Sequence, residues 1–349
     1  MYTQHGGDWA GYQWEFGRPA LDFSANLSPL GMPPALKKAV RQSLALSEAY
    51  PDPLCRALTE ALARSEGVPP GWVLCGGGAA ELIFRLALSF RPTAALVTAP
   101  TFGEYEAALT ALSCPVRHYP LQKERGFLLD EGFLEAVRPG MLVFLCEPNN
   151  PTGLLTPRPL VLKVLEQCRR RGAFLVADEC FYDFLDDPAS HTLRPELGEG
   201  GLLILRSFTK MYAMAGLRLG YCLCADGALL QKMRGAGQPW AVSTPAQAAG
   251  LAALQLTDWP ARVRRLIKRE RAFLSGQLRG RGYQVFGGQA NYLLFYSYFA
   301  ALAEDLKPRG VLIRDCSAYP GLGPGYFRVA VLARRENQAL LAALDGAVG

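Results

Sequence analysis

The sequence predicts an α/β fold: a mostly parallel sheet with helices on both faces, joined to a smaller α+β domain. Three observations predict it. Between residues 50 and 239, apolar runs of strand length alternate with helical stretches, the pattern of a sheet whose parallel strands are linked by covering helices. After residue 240 the order changes, with helical sequence first and strand-like segments later. A length of 349 residues suits one large and one small domain and buries a sizeable core.

Taken in order, residues 1–45 form an irregular N-terminal arm and the start of a helix at 34–46, grouped with the small domain. Residues 46–239 form the large domain, with strand-like runs at 94–98, 141–145, 174–177, 202–205 and 219–224. Residues 240–349 form the C-terminal small domain, with strand-like segments at 292–295 and 326–331. Eight basic residues crowd 262–281, but Val263, Leu266, Ile267, Leu274 and Leu278 recur there at helical spacing. That stretch reads as an amphipathic surface helix. No internal repeat or low-complexity linker interrupts the chain.

Composition excludes several classes. Charged residues make up 19% and hydrophobic residues 50%, values of a compact globular protein. No apolar run approaches the length of a membrane span. The opening residues 1–11 are polar, unlike a signal peptide. Nine scattered cysteines, several in strand-like runs, point to reduced thiols and a cytoplasmic location. Cys222 and Cys224 share one strand face, yet with three histidines in the chain they read as small buried hydrophobes and no metal site is expected. The net charge of +6 comes without a recognition motif, so nucleic acid is not an expected partner. A positive field that attracts phosphorylated substrates is the milder reading.

The chemistry lies at the ends of the strand-like runs, where ligands of such sheets collect. Lys210 closes Ser207-Phe208-Thr209-Lys210, just past the run 202–205, and Arg218 follows eight residues later. An amine flanked by a hydroxyl and a guanidinium is what covalent capture of pyridoxal 5′-phosphate needs, with the hydroxyl and Arg218 on its phosphate. Upstream, the run 141–145 leads into Cys146-Glu147-Pro148-Asn149-Asn150-Pro151-Thr152-Gly153, where an asparagine amide can donate to the cofactor's phenolic oxygen. The run 174–177 ends in Asp178-Glu179, and Asp178 can pair with the protonated ring nitrogen. Cys75-Gly76-Gly77-Gly78-Ala79 opens an apolar helix, a place where exposed N–H groups meet an anion. Singly, each fragment has an ordinary reading as a loop lysine, a turn, a helix cap or a tight turn. Together they describe one site.

This order of Asn-Pro-Thr-Gly, Asp-Glu, Ser-x-x-Lys and a later Arg resembles the fold type I PLP-dependent aminotransferase superfamily. Within it the chain is similar to the threonine-phosphate decarboxylases of cobalamin biosynthesis, near the histidinol-phosphate aminotransferases. The closer likeness rests on His5-Gly6-Gly7, the segments 21–26, 29–33, 149–155, 205–221, 312–316 and 319–322, and Arg328-Val329-Ala330. The resemblance implies catalytic roles for Lys210 and Asp178. It implies cofactor contacts from Gly77, Gly78, Ala79, Phe102 (over the ring face), Asn150, Ser207 and Arg218. It also implies that Tyr50 reaches the neighbouring subunit's cofactor, and hence a homodimer. Substrate contacts fall on His5, Gly6, Asn26, Asn150, Arg314 and Arg328. Two arginine forks suit a small amino acid bearing both carboxylate and phosphate. One departure is informative: Phe181 stands where transaminases of the superfamily usually have tyrosine, as it tends to in the decarboxylases.

The function so implied is PLP-dependent decarboxylation of L-threonine O-3-phosphate to (R)-1-aminopropan-2-yl phosphate. The alternatives are a histidinol-phosphate aminotransferase, a decarboxylase preferring serine phosphate, and a regulatory PLP-binding module. The last needs an N-terminal DNA-binding domain, and a match beginning at His5 leaves no room to expect one.

Overall fold

Alternation of side chains across one strand explains the layering. A computed structural model describes residues 5–347. Its strands are β1 (Leu21–Asp22), β2 (Val73–Gly76), β3 (Ala94–Ala99), β4 (Val116–Pro120), β5 (Met141–Cys146), β6 (Phe174–Asp178), β7 (Leu202–Ser207), β8 (Gly220–Cys224), β9 (Gln284–Phe286), β10 (Tyr292–Tyr296), β11 (Val311–Leu312), β12 (Arg314–Asp315) and β13 (Tyr326–Ala330). In β5, Met141, Val143 and Leu145 join one apolar core, while Leu142, Phe144 and Cys146 join a second on the other face. A strand with a core on each side has no polar positions to spare, and all six of its residues are buried.

The main sheet has seven strands in the order β2-β8-β7-β6-β5-β3-β4. β4, β3, β5, β6 and β7 pair in parallel, and β8 runs antiparallel to both its neighbours. The carboxyl ends of β5, β6 and β7 therefore open on one edge. Crossover helices cover the sheet, among them Ala79–Phe90, Glu104–Thr110 and Arg158–Arg171. The last of these starts at Pro157-Arg158-Pro159 and stops at Gly172, whose φ of 64° a glycine adopts without strain.

A second, antiparallel sheet runs β12-β13-β10-β9. β1 pairs in parallel with β11, and the Ala330 N–H donates to Phe23 O. The N-terminal segment thus lies beside the C-terminal sheet. Helix Trp259–Gly280 buries Val263, Ile267, Leu274 and Leu278, as the periodicity requires. It also buries Glu270, which pairs with Arg334 at 2.8 Å. Helix Thr244–Leu254 packs against helices Pro34–Ser43 and Arg56–Glu66.

Two expectations need correction. The arm is not irregular throughout: Trp9–Phe16 is a helix, capped by the Asp8 side chain accepting from Gly11 N–H and ended at Gly17. Of its residues only Tyr12 is buried, so no apolar period announced it. The helix at 34–46 is α-helical over Pro34–Ser43 and continues as a 3₁₀ turn at Leu44–Leu46. Strand β4 is not among the expected runs: as an edge strand it keeps exposed polar residues, Arg117 and His118.

Candidate active site

Three strand ends and one helix start converge on a cleft of about 410 Å³. Asp178 closes β6, and its carboxylate is held by two donors. Tyr105 O–H reaches Oδ2 at 2.6 Å, and the Cys180 N–H reaches Oδ1 at 3.0 Å. Tyr105 is fully buried, and burial, then the Asp178 charge, pushes its hydroxyl well above the ordinary tyrosine range. It therefore stays a donor. Neither atom of the carboxylate is left to choose its own direction, which fixes where its charge points.

Past the end of β7, Lys210 Nζ lies 3.4 Å from Ser207 Oγ and 5.6 Å from the Phe181 ring centroid. Backbone bonding holds the lysine turn: Ser28 N–H donates to Lys210 O at 2.8 Å. Across from it, helix Ala79–Phe90 begins at Gly78, with φ of 102°. A Cβ at residue 78 would come within 2.8 Å of Arg218 Nη2, so glycine is what lets this guanidinium lie against the helix start. The helix dipole and Arg218 together make an anion cradle.

The adjacent asparagines separate clearly. Asn149 spends its amide on the loop, donating to Pro100 O and Thr152 Oγ1 and accepting from Thr101 Oγ1. Asn150 lines the cleft and accepts from Arg328 Nη1 at 2.5 Å. The Arg328 side chain also donates to Ser24 O at 2.8 Å, while its buried Nε has no hydrogen-bond partner. Arg314 and Arg328 are direct partners across β12 and β13, and both line the cleft. Like charges placed opposite one another cost free energy unless an anion lies between or beside them. The Arg314 guanidinium also sits 5.6 Å from the Tyr319 ring. Nearby, the buried Asn26 Oδ1 lacks a partner as well.

The cleft gathers His5, Gly6, Asn26, Gly78, Ala79, Phe102, Asn150, Asp178, Lys210, Arg218, Arg314 and Arg328. It does not gather three others. Gly77 lies behind the helix start, its N–H on Glu81 Oε2. Ser207 stands behind Lys210 rather than on the wall. Tyr50 is 78% exposed and stacks on Trp240, outside this cleft. Phe181 lines the cleft and meets Tyr292 edge-on at 5.0 Å, whereas the Tyr292 hydroxyl is committed to Asn149 O. Residues that sequence reasoning missed include Glu104, Tyr105 and Ser24, which hold other site residues through contacts over long sequence separations. No local pattern marks them.

The donor set fits pyridoxal 5′-phosphate: an amine at the strand end, an anion cradle at the helix start, and a fixed carboxylate between them. The family model for aminotransferase class I and II matches residues 18–345. The chain belongs to the class I and II aminotransferases. It is 40% identical to threonine-phosphate decarboxylase of Salmonella typhimurium, covering 93% of this chain and 90% of that protein. Histidinol-phosphate aminotransferase of Oleidesulfovibrio alaskensis is 32% identical, with 92% and 86% covered. Among solved structures, L-threonine-O-3-phosphate decarboxylase from Porphyromonas gingivalis superposes with a TM-score of 0.83 at 27% identity, covering 93% of this chain and 98% of that one. The fold type I architecture predicted from the motifs is the one observed. Among the described residues, no helix is long and apolar enough to cross a membrane.

Proposed function

We propose that this chain is a PLP-dependent carboxy-lyase that converts L-threonine O-3-phosphate to (R)-1-aminopropan-2-yl phosphate in cobalamin biosynthesis. The observation that carries the reading is the cross-strand pair Arg314 and Arg328 on the wall facing Lys210. Two guanidiniums side by side call for a small substrate with two anionic groups. The likeness to threonine-phosphate decarboxylases supports the same choice.

Bound pyridoxal phosphate supplies an electron sink for the pair released when a bond to the substrate Cα breaks. Asp178, oriented by Tyr105 and the Cys180 N–H, would hold the proton on the cofactor's ring nitrogen. Arg218, Gly78 and Ala79 bind the cofactor phosphate, with Ser207 steadying Lys210. Phe102 and Asn150 line the same cleft; Phe102 would pack against the cofactor ring, and Asn150 would serve both cofactor and substrate. Arg314 and Arg328, with His5, Gly6 and Asn26, hold the phosphate and carboxylate of the substrate. Binding energy spent away from Cα thereby sets which of its bonds is presented for cleavage. Lys210 Nζ then returns a proton to Cα.

The proposed division places an arm at 1–45, a large domain at 46–239 and a small domain at 240–349. It is supported by separate sheets spanning 73–224 and 284–330. The proposed assembly is a cytoplasmic homodimer in which Tyr50 serves the neighbouring site. Exposed Leu44, Leu46 and Leu54, with Tyr50 stacked on Trp240, support that assembly.

A second reading, histidinol-phosphate aminotransfer, is favoured by the relatives of that name. Phe181, which offers no hydroxyl to the cofactor, weighs against it. Purified protein given threonine phosphate should release carbon dioxide without any keto acid. Glutamate formed from histidinol phosphate and 2-oxoglutarate, with no carbon dioxide from threonine phosphate, would replace this reading with the second.

A further inference from the structure

The mouth of the cleft is crossed by one short segment. His5 and Gly6 line the cleft beside Arg314 and Arg328. Their backbone is pinned to the wall that carries the arginines: Gly7 N–H donates to Ser24 Oγ at 2.8 Å, and a Cβ at Gly6 would meet Ser24 O at 2.2 Å. Ser24 O is the same atom that accepts from Arg328. On the opposite wall, His5 Nε2 lies 2.6 Å from Glu104 Oε1. Glu104 opens helix Glu104–Thr110, directly after Phe102 and Gly103, and the His5 ring sits 6.2 Å from the Phe102 ring. A continuous path thus runs from Arg328 through Ser24 and His5 to Glu104.

An ordinary solvent-side ion pair is the plain alternative, since the His5 side chain is 54% exposed. Such pairs contribute little to stability. What this one does instead is fix direction. The hydrogen bond from His5 holds the Glu104 carboxyl below the ordinary carboxylate range, so Glu104 is ionised and can only accept. Nε2 therefore donates to Glu104, and Nδ1 bonds an anionic ligand in the cleft only when it carries a second proton, as in the imidazolium.

We propose that Glu104 is a positioning residue for substrate capture: it holds His5 across the cleft mouth so that Nδ1–H of the imidazolium donates to the phosphate or carboxylate of the substrate gripped by Arg314 and Arg328. This inference rests on the phosphorylated substrate proposed above. Neither Glu104 nor its pairing with His5 follows from the sequence motifs.

The test uses the full-length, PLP-loaded enzyme and threonine phosphate. Glu104→Ala raises KM by about tenfold, the scale of one lost charge-assisted contact, while kcat changes little. Glu104→Gln keeps an acceptor for Nε2–H and recovers part of the loss. In a His5→Ala background, Glu104→Ala adds nothing further, because the two act as one unit. Amide hydrogen exchange at residues 5–8 speeds up in Glu104→Ala, which a residue remote from the segment would not cause. Additive losses in the double variant, a fall in kcat at unchanged KM, or unchanged exchange at 5–8 would each overturn the proposal. If the wild-type protein leaves threonine phosphate untouched, the functional reading fails on its own. The exchange experiment then still decides whether Glu104 holds the segment.

Discussion

The two walls of the cleft are built to opposite rules. The wall at the strand ends of the large sheet is saturated: Asp178 has two donors, Asn149 has three partners, and Lys210 is tied into its turn by the Ser28 N–H. The wall formed by β12, β13 and the N-terminal segment is under-satisfied. Among the described residues, it leaves Arg328 Nε and Asn26 Oδ1 buried without partners. A saturated wall is preorganised for one permanent guest. An under-satisfied wall has its hydrogen bonds completed by a guest that comes and goes. On this view, the cofactor side fixes the chemistry and the arginine side selects the substrate.

The largest effects break the saturated wall. In the proposed mechanism Lys210→Ala removes the amine that captures the cofactor and returns the proton, so turnover falls by roughly a thousandfold or more. Borohydride reduction followed by peptide mapping checks it: label at residue 210 in the wild type, none in the variant, with the circular dichroism spectrum retained. Asp178→Ala comes next. It removes the counter-charge of the ring nitrogen and strands the buried Tyr105 hydroxyl, giving weaker cofactor retention and a turnover loss of about a hundredfold. Near-normal turnover in that variant would reduce Asp178 to a structural cap.

Smaller effects sharpen the other side of the comparison. Arg314→Ala and Arg328→Ala should each cost on the order of 1.5–3 kcal/mol in kcat/KM, roughly ten- to a hundredfold. Lysine replacements restore the charge but not the fork and rescue only part of it. The variant at the phosphate partner should lose the preference for threonine phosphate over threonine, while the other variant weakens both. If neither changes that preference, the arginine wall does not select the phosphate. Should Arg328→Ala also release Asn150 and Ser24, part of its loss will come from those two groups, since Arg328 bonds both.

The same contrast explains what the sequence made legible. Strand-end motifs pick out Lys210, Asp178, Asn150 and the Gly78 helix start, which line one cleft, because short local patterns mark where a strand stops. Pairing between Arg314 and Arg328 is a matter of register across a turn, and nothing in the intervening residues states that register. Tyr105 and Glu104 act over 73 and 99 residues of separation. Contacts of that kind depend on the assembled fold, so composition and spacing carry no trace of them. Glu270, a buried carboxylate on the apolar face of helix Trp259–Gly280, was hidden for a related reason: its partner Arg334 lies on another helix.

The smallest effect on turnover, and the sharpest on stability, belongs to Glu147 behind the saturated wall. Its N–H donates to Asp178 O, joining the ends of β5 and β6, while its Oε2 accepts from Thr156 N–H at 2.8 Å. Burial pushes its carboxyl from an ordinary 4.5 to about 8, against the opposing pull of the Thr156 bond. A carboxyl raised on folding favours the folded state while it is protonated. That contribution is fully present below about pH 4.5 and is lost as pH rises through about 8. Glu147→Gln keeps an acceptor for Thr156 but carries no proton to lose. The variant should therefore match the wild type in denaturant midpoint at pH 4.5 and exceed it increasingly towards pH 8, with little change in turnover. Parallel stability curves for the two proteins across that range would mean that Glu147 is already solvated in the folded state. The cofactor wall would then be less dry, and less preorganised, than its hydrogen bonds imply.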